Sequence, residues 1–189
     1  MAERVFVVRH GATEWSIAMR HTGTSDLPLV KEGREQAASL APKLSGLRES
    51  AALVLVSPLA RALQTCELAG FGDLAEICDD LREWDYGDYE GLTTPQIREQ
   101  RPTWDLWRDG CPGGEGPAEV GARVDLVLAR LASVEGECVA FAHGHLLRVL
   151  TARWLQMEVA AGARFKLEAG SVGVLGHERE TAVLERWSA

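Results

Sequence analysis

Three short runs bring together residue types suited to phosphoryl chemistry: Arg9-His10-Gly11, Ser57 through Arg61, and His143-Gly144-His145. Arginine offers a planar fork of donors that matches phosphate oxygens, and it stays charged at any working pH. A neutral imidazole can attack phosphorus in line and form a phosphoramidate that water later hydrolyses. His10 suits the nucleophile, Arg9 and Arg61 the neutralising cations, and His143 a second donor to the transferring oxygens. Gly11 and Gly144 let backbone approach a ligand closely. Departure of an alkoxide also calls for an acid. Glu83 is the candidate, because neighbouring Leu81 and Trp84 suggest the apolar setting that favours a protonated carboxyl. Singly, each feature has an ordinary alternative: a loop, a solvated helix arginine, a surface carboxylate. The two histidines of 143–145 could form a metal pair, but no third ligand has suggestive spacing. Agreement on one chemistry favours the functional reading.

These residues need elements that bring them together. The apolar runs 3–9, 51–56 and 138–142 read as buried strands that stop at the three loaded tips. A further short strand at 74–77 leads toward Glu83, and two β-like runs, 171–175 and 181–186, close the chain. Helical spacing appears over 31–44, from about 59 to 68, over 118–131, and from 145 to about 157. Alternating strands and helices predict an α/β domain with a mainly parallel mixed sheet and helices on both faces. Ligands collect at the carboxyl ends of such strands. The segment 84–117 is rich in Gly, Pro and Trp with little sustained periodicity, and reads as a small inserted cap within a single domain of 189 residues.

The chain is 46% hydrophobic and 25% charged, an ordinary globular composition. A net charge of −8 argues against nucleic acid or an anionic membrane as partner, yet permits a small anionic ligand held by local arginines. No run reaches membrane-spanning length or forms a secretory leader, so a cytoplasmic location is expected. Cys66, Cys78, Cys111 and Cys138 read as free thiols, with a Cys66–Cys78 pair as the alternative.

In these residues the sequence resembles the histidine phosphatase superfamily, in the branch that includes cofactor-dependent phosphoglycerate mutases. The likeness runs through Arg9-His10-Gly11, Thr13-Glu14-Trp15, Thr22-Gly23, Asp26 to Leu29 and Gly33. It continues through Ser57-Pro58, Arg61-Ala62, Gln64-Thr65, Leu81-Arg82-Glu83, the run Tyr86 to Gly91, Gly114-Glu115 and His143-Gly144-His145. The resemblance implies a mutase-like three-layer sandwich, His10 as phosphorylated nucleophile, and Glu83 as proton donor. It also implies that Arg9, Arg61 and His143 complete the phosphate pocket, without metal or other cofactor. Mutases carry asparagine where this chain has Ser16, a phosphate-holding position, and they grip phosphoglycerate with a lysine and an arginine pair. This chain has no lysine in the run after Glu90 and no Arg-Arg pair in its cap. Those departures favour net hydrolysis of a small phosphorylated metabolite, with a mutase or a non-catalytic phosphate-binding protein as alternatives. The details are similar to sedoheptulose-bisphosphatase-type sugar phosphatases and mutase-like actinobacterial acid phosphatases. By that analogy Ser16, His21, Thr22, Gly23, Tyr86, Gly144 and Arg148 contact the substrate. For Arg148, a structural ion pair is an equal alternative to a second-phosphate contact. The resemblance also allows a homodimer, although the sequence marks no interface.

Overall fold

Apolar runs become central strands here because helices cover both of their faces. The structure is a computed structural model that describes residues 2–189. One sheet contains β1 (Ala2–Arg9), β2 (Ala51–Val56), β3 (Ala75–Ile77), β4 (Gly136–Ala142), β5 (Val172–Glu178) and β6 (Thr181–Arg186), in the order β3-β2-β4-β1-β5-β6. The first four strands run parallel, whereas β5 is antiparallel to β1 and β6 antiparallel to β5. The helices are α1 (Glu14–Ile17), α2 (Lys31–Lys43), α3 (Ser45–Ser50), α4 (Ala60–Leu68), α5 (Thr94–Gln100), α6 (Leu106–Asp109), α7 (Pro117–Ala132) and α8 (Gly144–Trp154).

Strand alternation sorts the core into two layers. Val5, Val7, Leu53, Leu55, Cys138 and Ala140 face the side packed by α7 and α8. Val8, Val54, Val56, Val139 and Phe141 face the side packed by α2, α3 and α4. On α7, Val120, Val124, Val127 and Leu131 recur at helical spacing and are buried, so its core stripe was readable as such.

Register carries the loaded tips to one edge. Arg9 pairs with Ala142, and Val56 pairs with Phe141. Just beyond the strands, His10 N donates to Ala142 O at 3.0 Å and Ser57 N to Phe141 O at 3.0 Å. The backbones at 10, 57 and 143 therefore lie side by side.

Some boundaries differ from expectation. α2 fills the helical run expected over 31–44, α3 follows it where no helix was expected, and α8 stops at Trp154. β5 extends to Glu178 because β6 pairs with it as far as Thr181. The segment 84–117 contains α5 and α6, which weak periodicity concealed. Thr93-Thr94-Pro95-Gln96 was a legible start signal for α5: Thr93 and Gln96 form a reciprocal capping box, with proline in the first turn. All four cysteines are free and buried, so the Cys66–Cys78 alternative does not form. Among the described residues, no helix is long and apolar enough to cross a membrane.

Candidate active site

A cavity of about 660 Å³ opens at the carboxyl edge of the sheet, and Arg9, His10, Glu83, Gly144 and His145 are among the residues that line it. His10 is buried, and its Nδ1 lies 2.7 Å from Gly11 O. A carbonyl only accepts, so Nδ1 carries the proton and Nε2 holds a free lone pair. Burial lowers the His10 pKa well below 6.5, and the Arg9 and Arg61 charges lower it further. The ring is thus kept in its nucleophilic, neutral form.

The loop carrying His10 is set by close backbone packing. A Cβ on Gly11 would lie 2.1 Å from Gly33 O, and one on Gly33 would lie 2.0 Å from Ala12 O. Glycine at both positions lets the β1 tip press against the start of α2. Thr65 Oγ accepts from Gly11 N at 3.1 Å and donates to Arg61 O at 2.7 Å, which ties the same loop to α4.

Arg9 Nη1 donates to Leu167 O, while its buried Nε has no hydrogen-bond partner. The guanidinium packs directly over Gly144, where a Cβ would lie 3.2 Å from Nε. An unpartnered buried cationic donor is costly without an acceptor, and an oxyanion in the adjoining cavity would satisfy it.

Arg61 and His143 sit one layer behind the cavity lining. Arg61 Nε donates to His143 Nδ1 at 3.1 Å, which assigns the His143 proton to Nε2; that atom lies 2.7 Å from Ser57 Oγ. The other Arg61 nitrogens donate to Ser25 O at 2.8 Å and to Thr22 O and Gly23 O, each at 3.0 Å. Burial and the Arg61 charge hold His143 neutral, its pKa well below 6.5. Its ring centroid is 5.2 Å from that of His10, in an edge-on arrangement.

Glu83 occupies a setting different from the apolar one suggested by its neighbours in sequence. Trp84 turns into the core and donates from Nε1 to Glu115 O at 2.8 Å. The Glu83 carboxylate instead meets the amino end of α8. Oε1 accepts from Trp84 N at 2.9 Å and Leu146 N at 2.8 Å, and Oε2 accepts from His145 N at 3.0 Å. These bonds satisfy helix-terminal donors that would otherwise be orphans. Oε1 is saturated, so the remaining Oε2 lone pair is the position for a transferable proton.

The expected substrate contacts divide. Ser16, His21, Thr22, Tyr86, Gly144 and Arg148 line the cavity. Gly23 does not; it lines a separate cavity, and its N–H donates to the Glu90 carboxylate at 2.9 and 3.0 Å. Ser16 Oγ is engaged by Thr13, accepting from its N at 2.8 Å and donating to its O at 3.0 Å. Arg148 lies 4.6 Å above the Trp107 ring and spends Nε on Gly162 O at 2.9 Å and Nη2 on Ala163 O at 2.8 Å. Among the described residues it makes no ion pair, and Nη1 has no protein partner. His145 also lines the cavity and was passed over, although it directly follows His143-Gly144 at the start of a helix. Among the described residues, no group of three His, Cys, Asp or Glu side chains is arranged to hold a metal.

A parallel-sheet edge presenting buried histidines and arginines defines a phosphoryl-handling enzyme. The chain belongs to the histidine phosphatase superfamily, branch 1, whose family model matches residues 5–189. It is 43% identical to an acid phosphatase of Mycobacterium tuberculosis over 96% of this chain and 91% of the relative. It is 36% identical to a sedoheptulose 1,7-bisphosphatase of Saccharomyces cerevisiae over 84% of this chain and 70% of the relative. Among solved structures, a mycobacterial glucosyl-3-phosphoglycerate phosphatase in complex with VO3 superimposes with a TM-score of 0.87, at 31% identity over 99% of both chains. The fold is the mixed α/β sandwich of this family, and the enzyme class is histidine phosphatase.

Proposed function

We propose that the enzyme hydrolyses small phosphomonoesters, sugar phosphates in particular, through a phosphohistidine on His10. The observation that carries this reading is the fixed His10 tautomer: its Nε2 lone pair is free in the cavity that Arg9 and Glu83 also line. In the first step Nε2 attacks phosphorus while the bond to the leaving oxygen breaks, and that oxygen takes a proton from Glu83 Oε2. The Gly11 carbonyl continues to accept from Nδ1, now on a cationic ring. In the second step the Glu83 carboxylate takes a proton from water as its oxygen attacks phosphorus. The P–N bond breaks, and its electron pair returns to Nε2. Arg9 Nε supplies a donor to the transferring oxygens; Arg61 adds positive potential, and neutral His143 gives a rigid backing.

A sugar-phosphate substrate is supported by a roomy cavity with polar side chains at 21, 22, 86 and 145, and by the sugar-bisphosphatase relative. The scheme draws on this chain's residues alone. The test is phosphate release by chelator-treated protein from sugar phosphates, sugar bisphosphates, phosphoglycerates and p-nitrophenyl phosphate, with His10→Ala as control. Wild type quenched in alkaline denaturant should carry one phosphoryl group on the His10 peptide. Release that survives His10→Ala would overturn the mechanism. Interconversion of 2- and 3-phosphoglycerate without release would make the enzyme a mutase.

A further inference from the structure

We propose that His145 determines specificity: its Nε2–H donates to an oxygen on the leaving group beside the scissile ester, so hydroxylated leaving groups are preferred over plain alkyl ones. This rests on the phosphatase reading above and names the feature of the substrate that the cavity wall recognises.

The tautomer follows from the contacts. His145 Nδ1 lies 2.6 Å from Tyr86 Oη. A separation of 2.6 Å is shorter than an N–H donor normally makes and fits an O–H donor, and a phenol donates more strongly than a neutral imidazole, so the direction is assigned from Tyr86 Oη to Nδ1. Burial keeps both groups uncharged: the Tyr86 pKa lies well above 10 and that of His145 well below 6.5. A neutral imidazole that accepts at Nδ1 carries its proton at Nε2. That nitrogen has no protein partner and is not enclosed by protein, while His145 borders the cavity.

The ring is also held in place. It meets Trp107 edge-on at 5.4 Å and Tyr86 edge-on at 5.9 Å, with the Arg148 guanidinium stacked on Trp107. The backbone N–H of His145 itself holds Glu83 Oε2 at 3.0 Å. One residue therefore orients the acid through its main chain and presents a donor through its side chain. A leaving group that offers its bridging oxygen to Glu83 and a second oxygen to His145 is a polyol or sugar alkoxide.

The test compares kcat/KM for glycerol 3-phosphate and n-propyl phosphate, whose leaving groups differ in hydroxyls alone. His145→Phe keeps an aromatic ring against Trp107 and should lower the glycerol-to-propyl ratio roughly tenfold. His145→Gln, which restores an N–H, should recover part of it. Tyr86→Phe should lower the ratio by freeing the tautomer, and should lower it no further in a His145→Phe background. If His145→Phe does not fold, His145→Leu and Tyr86→Phe provide the same reading. A ratio within about twofold of wild type in His145→Phe and His145→Leu overturns the inference. Additive effects of the Tyr86 and His145 substitutions also overturn it. Activity that survives His10→Ala would instead remove the parent reading, so the two failures are distinct.

Discussion

Glu83→Gln tests structure and chemistry together. The glutamine amide oxygen can take the Oε1 position and keep the bonds from Trp84 N and Leu146 N. Its NH2 then faces His145 N at the place where Oε2 accepted at 3.0 Å, donor against donor. Flipping the amide forfeits two bonds instead of one. Leaving one nearly buried N–H unsatisfied costs about 1–3 kcal/mol, and losing a charge-assisted acceptor adds about 1 kcal/mol. The expected loss is about 2–4 kcal/mol, which for a domain of this size lowers Tm by about 5–15 °C. For kcat/KM, which reports transfer to His10, alkyl phosphates should lose about 10²–10⁴-fold. Aryl phosphates leave without protonation and should lose less than about tenfold. Calorimetry and initial rates on glycerol 3-phosphate and p-nitrophenyl phosphate read both effects. An unchanged Tm would refute the capping argument; equal kcat/KM losses on the two substrates would refute the role as acid.

Acid should destabilise the fold. His10, His21, His143 and His145 all have folded pKa values below the ordinary 6.5 because burial disfavours the cation. Between each folded value and 6.5 the unfolded chain binds more protons, so stability is full above 6.5 and falls as pH drops through that window. His21, lowered to about 4, accounts for about 3 kcal/mol at the acid end; a Tm flat from pH 7 to about 4.5 would contradict this. Gly33→Ala should destabilise by more than about 3 kcal/mol and depress kcat, since its Cβ would meet Ala12 O at 2.0 Å; denaturant melts and rates check it. Arg123→Met should cost about 2–4 kcal/mol in urea unfolding. Arg123 pairs with Glu115 at 2.7 Å and donates to the carbonyls of Asp80, Arg82 and Glu83, so it clamps the segment that carries Glu83.

The strand tips were legible because three apolar runs ended in residues with one shared chemistry, and parallel register does the rest. Glu83 was legible by type but not by environment. Its capping partners lie more than sixty residues away, on a helix whose amino end meets it only in the folded chain. Gly23 was expected as a ligand contact by analogy with the family, yet its N–H belongs to Glu90. Arg148 resembled either an ion pair or a phosphate contact, and two distant carbonyls with an indole face account for most of it. Periodicity reports burial of a face; it carries no record of which polar partner a long side chain finds across the fold.

The arrangement also joins the requirements of the chemistry to those of folding. The proposed nucleophile must be neutral, and His10 owes its neutrality to burial beside two guanidinium groups rather than to a partner that withdraws its proton. Those guanidiniums are themselves buried, so each needs acceptors. Arg61 finds three backbone carbonyls and an imidazole nitrogen, and Arg9 finds one carbonyl and keeps its buried Nε without a partner. The asymmetry separates their roles. Arg61 is satisfied without ligand and ties down the loop at 22–25, whereas on the proposed mechanism Arg9 would complete its hydrogen bonding when an oxyanion arrives. Phosphate or vanadate should therefore stabilise the wild type more than an Arg9→Met variant, while Arg61→Met should lose stability with no ligand present at all.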